Sequence, residues 1–277
     1  MKKHKILINV LVYTMLICGT IIILFPFYWM LRTAVVGSES IFEVKPSIIP
    51  NTVHWHNFID AMEAQPFGRF FMNSGIVTLA NIVGVLLTSS LCAYGFSRID
   101  WPGRDKVFGI MLTALMLPFA VTIIPQFIGW RILHLTDTLF PLMIPAFFGG
   151  GLFNIFLLRQ FFMGIPKDLD ESAFIDGANH FKVYSKIILP LSSQSLIVVG
   201  LFTFLNSWND YLGPMLYLSS QKHYTLMLGL TLFQGSYSSQ WNLMMAAVAI
   251  VVLPSLIIFL IAQRYFIQGI AMTGIKG

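Results

Sequence analysis

Long uncharged runs alternate with short charged segments along the whole chain. About 20 apolar residues cross a bilayer as a helix. Five runs reach that length, and a sixth remains once the polar residues 234–240 are removed from a longer uncharged stretch. The pattern therefore predicts six transmembrane helices, at approximately 6–31, 70–97, 107–130, 138–158, 195–217 and 243–262.

The positions of lysine and arginine orient these helices, because cytoplasmic loops carry an excess of both. With six helices, both termini lie on the same side of the membrane. That side collects Lys2, Lys3, Lys5, Arg98, Arg104, Lys106, Arg159, Lys167, Lys182, Lys186, Arg264 and Lys276. The other side has only Arg32, Lys45, Arg69, Arg131 and Lys222. We therefore predict cytoplasmic termini, a large cytoplasmic loop at 160–194, and outer segments at 33–69, 131–137 and 218–240.

The composition agrees with a membrane location. Of the 277 residues, 56% are hydrophobic and only 10% are charged, against roughly 25% charged in soluble domains. This excludes a soluble enzyme and favours one all-α membrane domain over 1–277, with lipid covering part of its surface. The net charge of +5 reflects topology, so we predict no nucleic-acid partner. His54 and His56 have no evident third ligand and no catalytic motif is present, so we predict no metal site and no catalytic residues.

The cytoplasmic loop has features that an idle connector would not need. After Pro166 comes a cluster of acids that would lie in the first turn of a helix, where the helix dipole favours negative charge. These acids are Asp168, Asp170 and Glu171. Apolar residues at four-residue spacing form a stripe beside them, namely Ile165, Leu169 and Ala173. Such a helix facing the cytosol indicates a protein partner.

The rest of the loop predicts a sharp reversal and a return to the membrane. Gly177 would cap the first helix and permit the turn. A second short helix at 180–188 would then lead to Pro190, which can open the following membrane helix. We interpret the loop as a helix–turn–helix elbow.

Residues of this elbow resemble the E-A-A-x-x-x-G-(nine residues)-I-x-L-P loop of ABC importer permeases. The matching residues are Glu171, Ser172, Ala173, Gly177, Ile187, Leu189 and Pro190. Ser172 replaces an alanine of the pattern, and both are small. Asp176 and Ala178 extend the match to the E-A-A-x-x-D-G-A version of the carbohydrate branch. Further pieces that resemble this branch cover nearly the whole chain.

This resemblance implies a type I ABC importer permease fold and the role of the six-helix second permease of a maltose-type or multiple-sugar importer. Such a subunit belongs to a bacterial or archaeal cytoplasmic membrane. The elbow residues would couple to two ATPase subunits, and the tail would contact the same subunits through Thr273, Gly274 and Lys276. The other implied partners are a second, homologous permease in a heterodimer and an extracellular or periplasmic sugar-binding protein.

The chain contains no Gly-x-x-x-x-Gly-Lys-[Ser/Thr] phosphate loop, so ATP must bind elsewhere. We expect ATP and Mg in the partner ATPases and no cofactor on this chain. We also expect the outer loop at 218–240 to touch the sugar-binding protein through exposed aromatic residues, such as Tyr224 and Tyr237.

A polar and aromatic stripe in the fifth predicted span is a candidate for the substrate path. It comprises Asn206, Trp208, Asn209, Asp210 and Tyr211. Aromatic rings stack on the apolar faces of sugars, and amides bond their hydroxyl groups. The alternative is a set of hydrogen bonds that join membrane helices.

Two other functions remain as alternatives. One is an ABC permease for a solute that is not a sugar. The other is a secondary transporter, which is disfavoured because the sequence shows no matching halves and only Asp210 as an acid in mid-membrane.

Overall fold

The computed structural model describes residues 2–43, 45, 47–234 and 240–273. Within these ranges the regular structure is helical, and no strand is present. The α-helices are α1 (Lys2–Ala34), α2 (Asn57–Ala64), α3 (Phe67–Ser97), α4 (Arg104–Thr113), α5 (Phe119–Ile132), α6 (Phe140–Met143), α7 (Leu152–Met163), α8 (Asp168–Ile175), α9 (His180–Val183), α10 (Leu189–Leu191), α11 (Ser193–Trp208), α12 (Leu212–Tyr217), α13 (Leu226–Leu230) and α14 (Trp241–Thr273). The prediction of an all-α chain is confirmed.

Four helical segments are long and apolar enough to cross a membrane by themselves. They are Ile6–Ala34, Phe67–Ser97, Phe140–Met163 and Trp241–Gln263. Two further segments qualify as bent pairs, Arg104–Met116 with Ala120–Ile132 and His180–Leu191 with Ser193–Trp208. The described residues therefore hold four such helices, or six if each bent pair is one crossing. The positions of the spans in a membrane stay a prediction.

The third predicted span is not one continuous helix, since its two halves meet at 97°. The bend follows Leu117, whose backbone is extended with ψ of 118°. Leu117 precedes Pro118, and the proline ring disfavours helical geometry in the residue before it. Hydrophobicity predicted the length of this segment, while the proline determines its shape.

The fifth and sixth predicted spans also differ from the observed helices. α11 ends at Trp208 and α12 begins at Leu212, so the segment 195–217 is interrupted. In contrast, α14 continues to Thr273, well past the predicted end at 262. A charged residue ends a membrane span but does not end a helix, which explains the second difference.

Backbone contacts divide the chain into two compact units, Met1–Phe67 with Leu230–Leu253 and Gly68–Gly229 with Pro254–Gly277. In the first unit α1 has no buried residue in its most apolar window, as expected of a surface that faces lipid or another subunit. The segment after α1 is held by Asn57, whose Nδ2 donates to the carbonyls of Ala34 at 2.8 Å and Val36 at 3.0 Å.

The second unit is organised around α3. A buried cluster joins this helix to α7, the elbow and α11, and its members include Ala93, Leu158, Ile188 and Val199. Close approach to α3 requires glycine, because a Cβ on Gly150 would lie 2.8 Å from the carbonyl oxygen of Val85. Gly150 of the triple-glycine run thus permits close packing against α3.

The N-terminal end of α3 holds the segment before α13. Asn73 Nδ2 donates to the carbonyls of Lys222 at 3.0 Å and Tyr224 at 2.9 Å. The ring of Tyr224 packs against Phe70 with 6.3 Å between centroids, and Leu226 is fully buried. Tyr224 is half-buried and thus less exposed than expected, because its ring packs against Phe70. Tyr237 lies outside the described residues.

A carboxylate that the sequence did not single out fixes the turn at 131–137. Asp137 has a positive φ of 58°. Its carboxylate accepts hydrogen bonds from the backbone N–H of Ser219 at 2.9 Å and of Ser220 at 2.8 Å, and from the Ser220 hydroxyl at 2.5 Å. The Ser220 hydroxyl, followed by these backbone groups, lowers the pKa of Asp137 well below its usual range.

We expect Asp137→Asn to destabilise the protein by about 1 kcal/mol, a discounted value because the carboxylate is partly exposed. A carboxyl whose pKa is lowered by folding stabilises the protein above its unfolded pKa of about 4, and this contribution is lost as the pH falls toward the folded value. Apparent melting temperatures between pH 7 and pH 3 should thus decline more in the wild type than in the variant. Asp100→Asn, at an exposed carboxylate, is the control, and an equal decline in both variants would contradict the assignment.

Candidate coupling elbow and intramembrane cavity

The first helix of the elbow is present, with all three acids in its first turn. Gly177 follows it with φ of +79°. The N–H of Gly177 donates to the Phe174 carbonyl at 3.0 Å, and the N–H of Ala178 donates to the Ala173 carbonyl at 2.9 Å. This is a Schellman cap, in which glycine supplies the left-handed residue. The predicted glycine turn is therefore confirmed.

The second half of the elbow is α9 followed by a π-helical turn at Tyr184–Ile188 and by α10. Asn179 caps α9, since its side chain accepts from the Lys182 N–H at 2.9 Å. Pro190 lies in α10, and the chain bends by 78° before α11 begins at Ser193. Pro190 thus precedes the bend and does not itself begin the membrane helix.

The elbow residues that match the permease pattern divide into two groups by exposure. The exposed group comprises Glu171, Ser172, Asp176, Gly177 and Pro190. The other group packs against the buried cluster of the second unit and comprises Ala173, Ala178, Ile187 and Leu189. Small or apolar residues at the second set of positions let the elbow lie against its own core.

Only part of the predicted apolar stripe is exposed. Ile165 and Ala173 pack inward, while Leu169 is 42% exposed. The most exposed apolar side chains of the elbow are instead Ile175 at 86% and Phe181 at 69%. Ile175 shares a helix face with Glu171, four residues before it. Four-residue spacing found a face of α8, but it could not tell which face the core uses.

Two side chains of α3 and Arg98, the residue directly after the helix, contact the elbow at four-residue spacing. Ser90 Oγ lies 2.7 Å from the Tyr184 hydroxyl, and the Tyr94 hydroxyl lies 3.2 Å from His180 Nδ1. The third contact, between Arg98 and Asp170, lies one helical turn further along the chain. The sequence does not predict these contacts with the elbow, although the four-residue spacing of Ser90, Tyr94 and Arg98 is visible in it.

The third pair is a buried ion pair. Arg98 Nη1 lies 3.1 Å from Asp170 Oδ2, and their side chains are only 2% and 9% exposed. Arg98 Nη2 also donates to the carbonyls of Phe162 at 2.5 Å and Ile165 at 2.7 Å. Asp170 was expected to interact with the helix dipole of α8, and its main partner is instead this arginine.

A polar cavity of about 580 Å³ lies within the second unit. This volume is typical of small-molecule sites. Its polar lining residues come from α3, α7, α11 and the break before α12, and they are Asn81, Asn154, Thr203, Asn206, Ser207 and Asp210. Asn81 Nδ2 donates to Ser207 Oγ at 2.9 Å, which fixes one wall. No Lys or Arg lines the described wall.

Only part of the predicted substrate stripe reaches this cavity. Asn206, in α11, and Asp210, in the break after it, line the cavity. Trp208 is buried and stacks on Phe204 with 5.5 Å between centroids. The side chain of Asn209, directly after α11, donates to the carbonyl of Leu205 in that helix, and Tyr211 does not line the cavity. The five residues are adjacent in the sequence, but α11 and the break after it direct their side chains to different sides.

Asp210 also shapes the chain where α11 ends. Its Oδ1 accepts from the N–H of Gly213 at 3.1 Å, so the carboxylate caps α12 while it lines the cavity. In the predicted tail, Gly274 and Lys276 lie outside the described residues, and Thr273 is the last residue of α14.

Apolar helices of membrane-spanning length, a polar cavity and a folded elbow together define a membrane transport component. The chain belongs to the family of binding-protein-dependent transport system inner membrane components, which it matches over residues 80–272. The resemblance found in the elbow is thereby confirmed at the level of the family.

Two relatives and one solved structure illustrate the similarity. The sn-glycerol-3-phosphate transport system permease protein UgpE of Pectobacterium atrosepticum is 32% identical over 271 residues, which cover 95% of this chain and 96% of that protein. The arabinooligosaccharides transport system permease protein AraQ of Halalkalibacterium halodurans is 34% identical over 229 residues, 82% of this chain and 81% of that protein. The crystal structure of a bacterial ABC transporter involved in the import of the acidic polysaccharide alginate contains a chain that superposes with a TM-score of 0.84 at 21% identity, covering 94% of this chain and 96% of that one. The fold is that of an ABC importer permease.

Proposed function

We propose that this chain is the permease subunit of an ATP-driven importer for an uncharged oligosaccharide. A second, homologous permease would complete the translocation path, and a sugar-binding protein would deliver the cargo from outside. Two cytoplasmic ATPase subunits would bind ATP and Mg and dock on the elbow. Both termini would then face the cytosol, where the tail reaches the ATPases.

The observation that carries the choice of cargo is the chemistry of the cavity. Its described wall presents amide and hydroxyl groups and the single carboxylate of Asp210. Amides and hydroxyls exchange hydrogen bonds with sugar hydroxyl groups, while anionic cargo is normally met by Arg or Lys. The named cargoes of the relatives include a phosphate ester and an acidic polysaccharide, and the cavity of this chain favours the neutral type, as in arabinooligosaccharides.

The elbow supports coupling to an ATPase. Glu171 is exposed and makes no ion pair with any residue that the structure describes. It shares its helix face with Ile175, so an acid and an apolar side chain are presented together. A cleft with a basic rim and an apolar floor would be complementary to this face. ATP-driven closure of two ATPases with such clefts would then move the elbows. This movement would change the side of the membrane to which the cavity opens.

The test is ATP hydrolysis and uptake in proteoliposomes that contain both permeases, the ATPases and the binding protein. We expect neutral oligosaccharides to stimulate hydrolysis, and we expect glycerol phosphate and uronate oligomers not to do so. Asn206→Leu should raise the sugar concentration for half-maximal uptake about fivefold, since it removes one hydrogen-bonding group from the cavity.

Asn209→Leu is the matched control, because Asn209 lies in the same part of the chain but does not line the cavity. Equal effects of the two variants would contradict the assignment of the cavity. Stimulation by anionic cargo alone would contradict its neutral specificity, and uptake without ATP would indicate a secondary transporter.

A further inference from the structure

We propose that the three contacts between α3 and the elbow form a latch through which the movement of the elbow is transmitted to the cavity. The latch consists of the pairs Ser90–Tyr184, Tyr94–His180 and Arg98–Asp170. The inference rests on the proposed function and adds the residues that link the elbow to the cavity. They are positioning residues, since none of them lines the cavity.

The geometry of α3 makes it suitable for this role. Ser90 and Tyr94 lie on one face at the predicted cytoplasmic end of α3, and Arg98 directly follows the helix. The N–H of Arg98 still donates to the Tyr94 carbonyl at 2.9 Å, so Arg98 continues the same face. Each contacts a different part of the elbow, namely the π-helical turn, the start of α9 and the first turn of α8. The elbow is therefore fixed to α3 along its length.

The same helix reaches the cavity. Asn81 and Val85 line the cavity, and Asn81 and Arg98 are 17 positions apart in the sequence, which corresponds to about 25 Å at the rise of an α-helix. A helix transmits displacement along its axis because its backbone is internally hydrogen-bonded. Asn81 is also bonded to Ser207 of α11, so a shift of α3 would move two walls of the cavity.

The covalent route from the elbow to the membrane is less direct. The chain leaves the elbow through α10 and then bends by 78° before α11. A bend at a helix break is a place where movement can be absorbed. The latch bypasses this bend.

The buried Arg98–Asp170 pair is costly to break. Arg98 Nε and Asp170 Oδ1 have no hydrogen-bond partner in the described part of the chain. Removing one partner would leave the other as an uncompensated buried charge. The pair thus ties α8 to α3 strongly, and its Phe162 and Ile165 contacts tie the end of α7 to the same point.

The experiment measures sugar transported per ATP hydrolysed in the complete complex, together with the amount of ATPase that co-purifies with this chain. We expect Arg98→Gln to leave the ATPases bound, since the exposed face with Glu171 is unchanged, and to lower the transport ratio about tenfold, within the usual range of coupling between sites. Arg98→Lys should restore a large part of the ratio. Arg104→Gln, in a neighbouring cytoplasmic ion-pair cluster, is the control.

Two gentler variants keep the test decisive if Arg98→Gln does not fold. Ser90→Ala and Tyr184→Phe each remove one hydroxyl from the same hydrogen bond. Each should lower the transport ratio about threefold, and the double variant should be no worse than either one, because a single interaction is lost. Ser89→Ala is the matched control, since its buried hydroxyl bonds the Val85 carbonyl of its own helix.

The outcomes separate the latch from the proposed function. If the wild-type complex shows no ATP-dependent uptake, the proposed function fails and the latch fails with it. If the wild type transports sugar and the Arg98 and Ser90 variants keep the wild-type ratio, only the latch is overturned. Loss of bound ATPase in parallel with loss of uptake would show that these residues merely shape the docking surface, and this too would overturn the latch.

Discussion

Glu171→Lys is expected to release the ATPase subunits and to lower uptake by a factor of about 100 or more. Glu171 is exposed on the outer face of α8, and a lysine there would repel the basic group expected on the partner. Juxtaposed like charges in an interface cost several kcal/mol, whereas the effect of the reversed charge on the dipole of α8 is below about 1 kcal/mol. Binding should therefore fail while the chain stays folded and inserted.

Three measurements check this expectation: co-purification of the ATPases, sugar uptake, and the melting temperature of the isolated chain in detergent. Asp100→Lys is the matched control, since it makes the same change of charge in another cytoplasmic loop, at a carboxylate that is 78% exposed. If Glu171→Lys retains the ATPases and the uptake of the wild type, the docking face has been assigned wrongly. If the melting temperature of Glu171→Lys falls well below that of the wild type, the loss of uptake reflects misfolding instead.

The hydrophobic pattern locates the long apolar segments because each has the length that a bilayer requires. It did not predict their breaks. The bend after Leu117 depends on one proline, and the interruption between Trp208 and Leu212 depends on a carboxylate that caps the next helix. Both features are local, and a window of 20 residues averages them out.

The elbow was predictable because its signals are close together in the sequence. The acidic first turn and the glycine nine residues after the first acid each act on backbone groups within a few positions. The latch was not predictable in the same way. Arg98 and Asp170 are separated by 72 positions, and each alone resembles an ordinary charge in a cytoplasmic loop. Only the packing of α3 against the elbow brings them together.

The cavity also depends on residues that are far apart in the sequence, so only part of its lining could be predicted. Asn206 and Asp210 could be found because they lie in a run of unusual residues within an apolar segment. Asn81 and Asn154 stand alone among apolar neighbours in two other helices, and a lone asparagine in a membrane helix usually joins helices. Their contribution to one polar wall depends on which faces of α3 and α7 meet.

Gly150→Ala is expected to destabilise the second unit by about 3 kcal/mol, as the sum of a left-handed backbone and overpacking. The φ of Gly150 is +64°, and its added Cβ would lie 2.8 Å from the Val85 carbonyl oxygen and 2.9 Å from the Val85 Cα. Backbone atoms of α3 cannot move aside as a flexible side chain can, so the 149–151 segment would have to withdraw from α3.

The withdrawal should also damage the cavity, which Gly150 lines and where Asn154 Nδ2 donates to the Gly150 carbonyl at 2.7 Å. Melting temperature in detergent and sugar-stimulated ATP hydrolysis should therefore fall together. Gly95→Ala in α3 is the control: its Cβ would meet nothing within 4 Å, and alanine is the better helix former by about 1 kcal/mol. That variant should melt at or slightly above the wild-type temperature. If Gly150→Ala melts at the same temperature as Gly95→Ala, the close approach of the glycine run to α3 does not stabilise the protein.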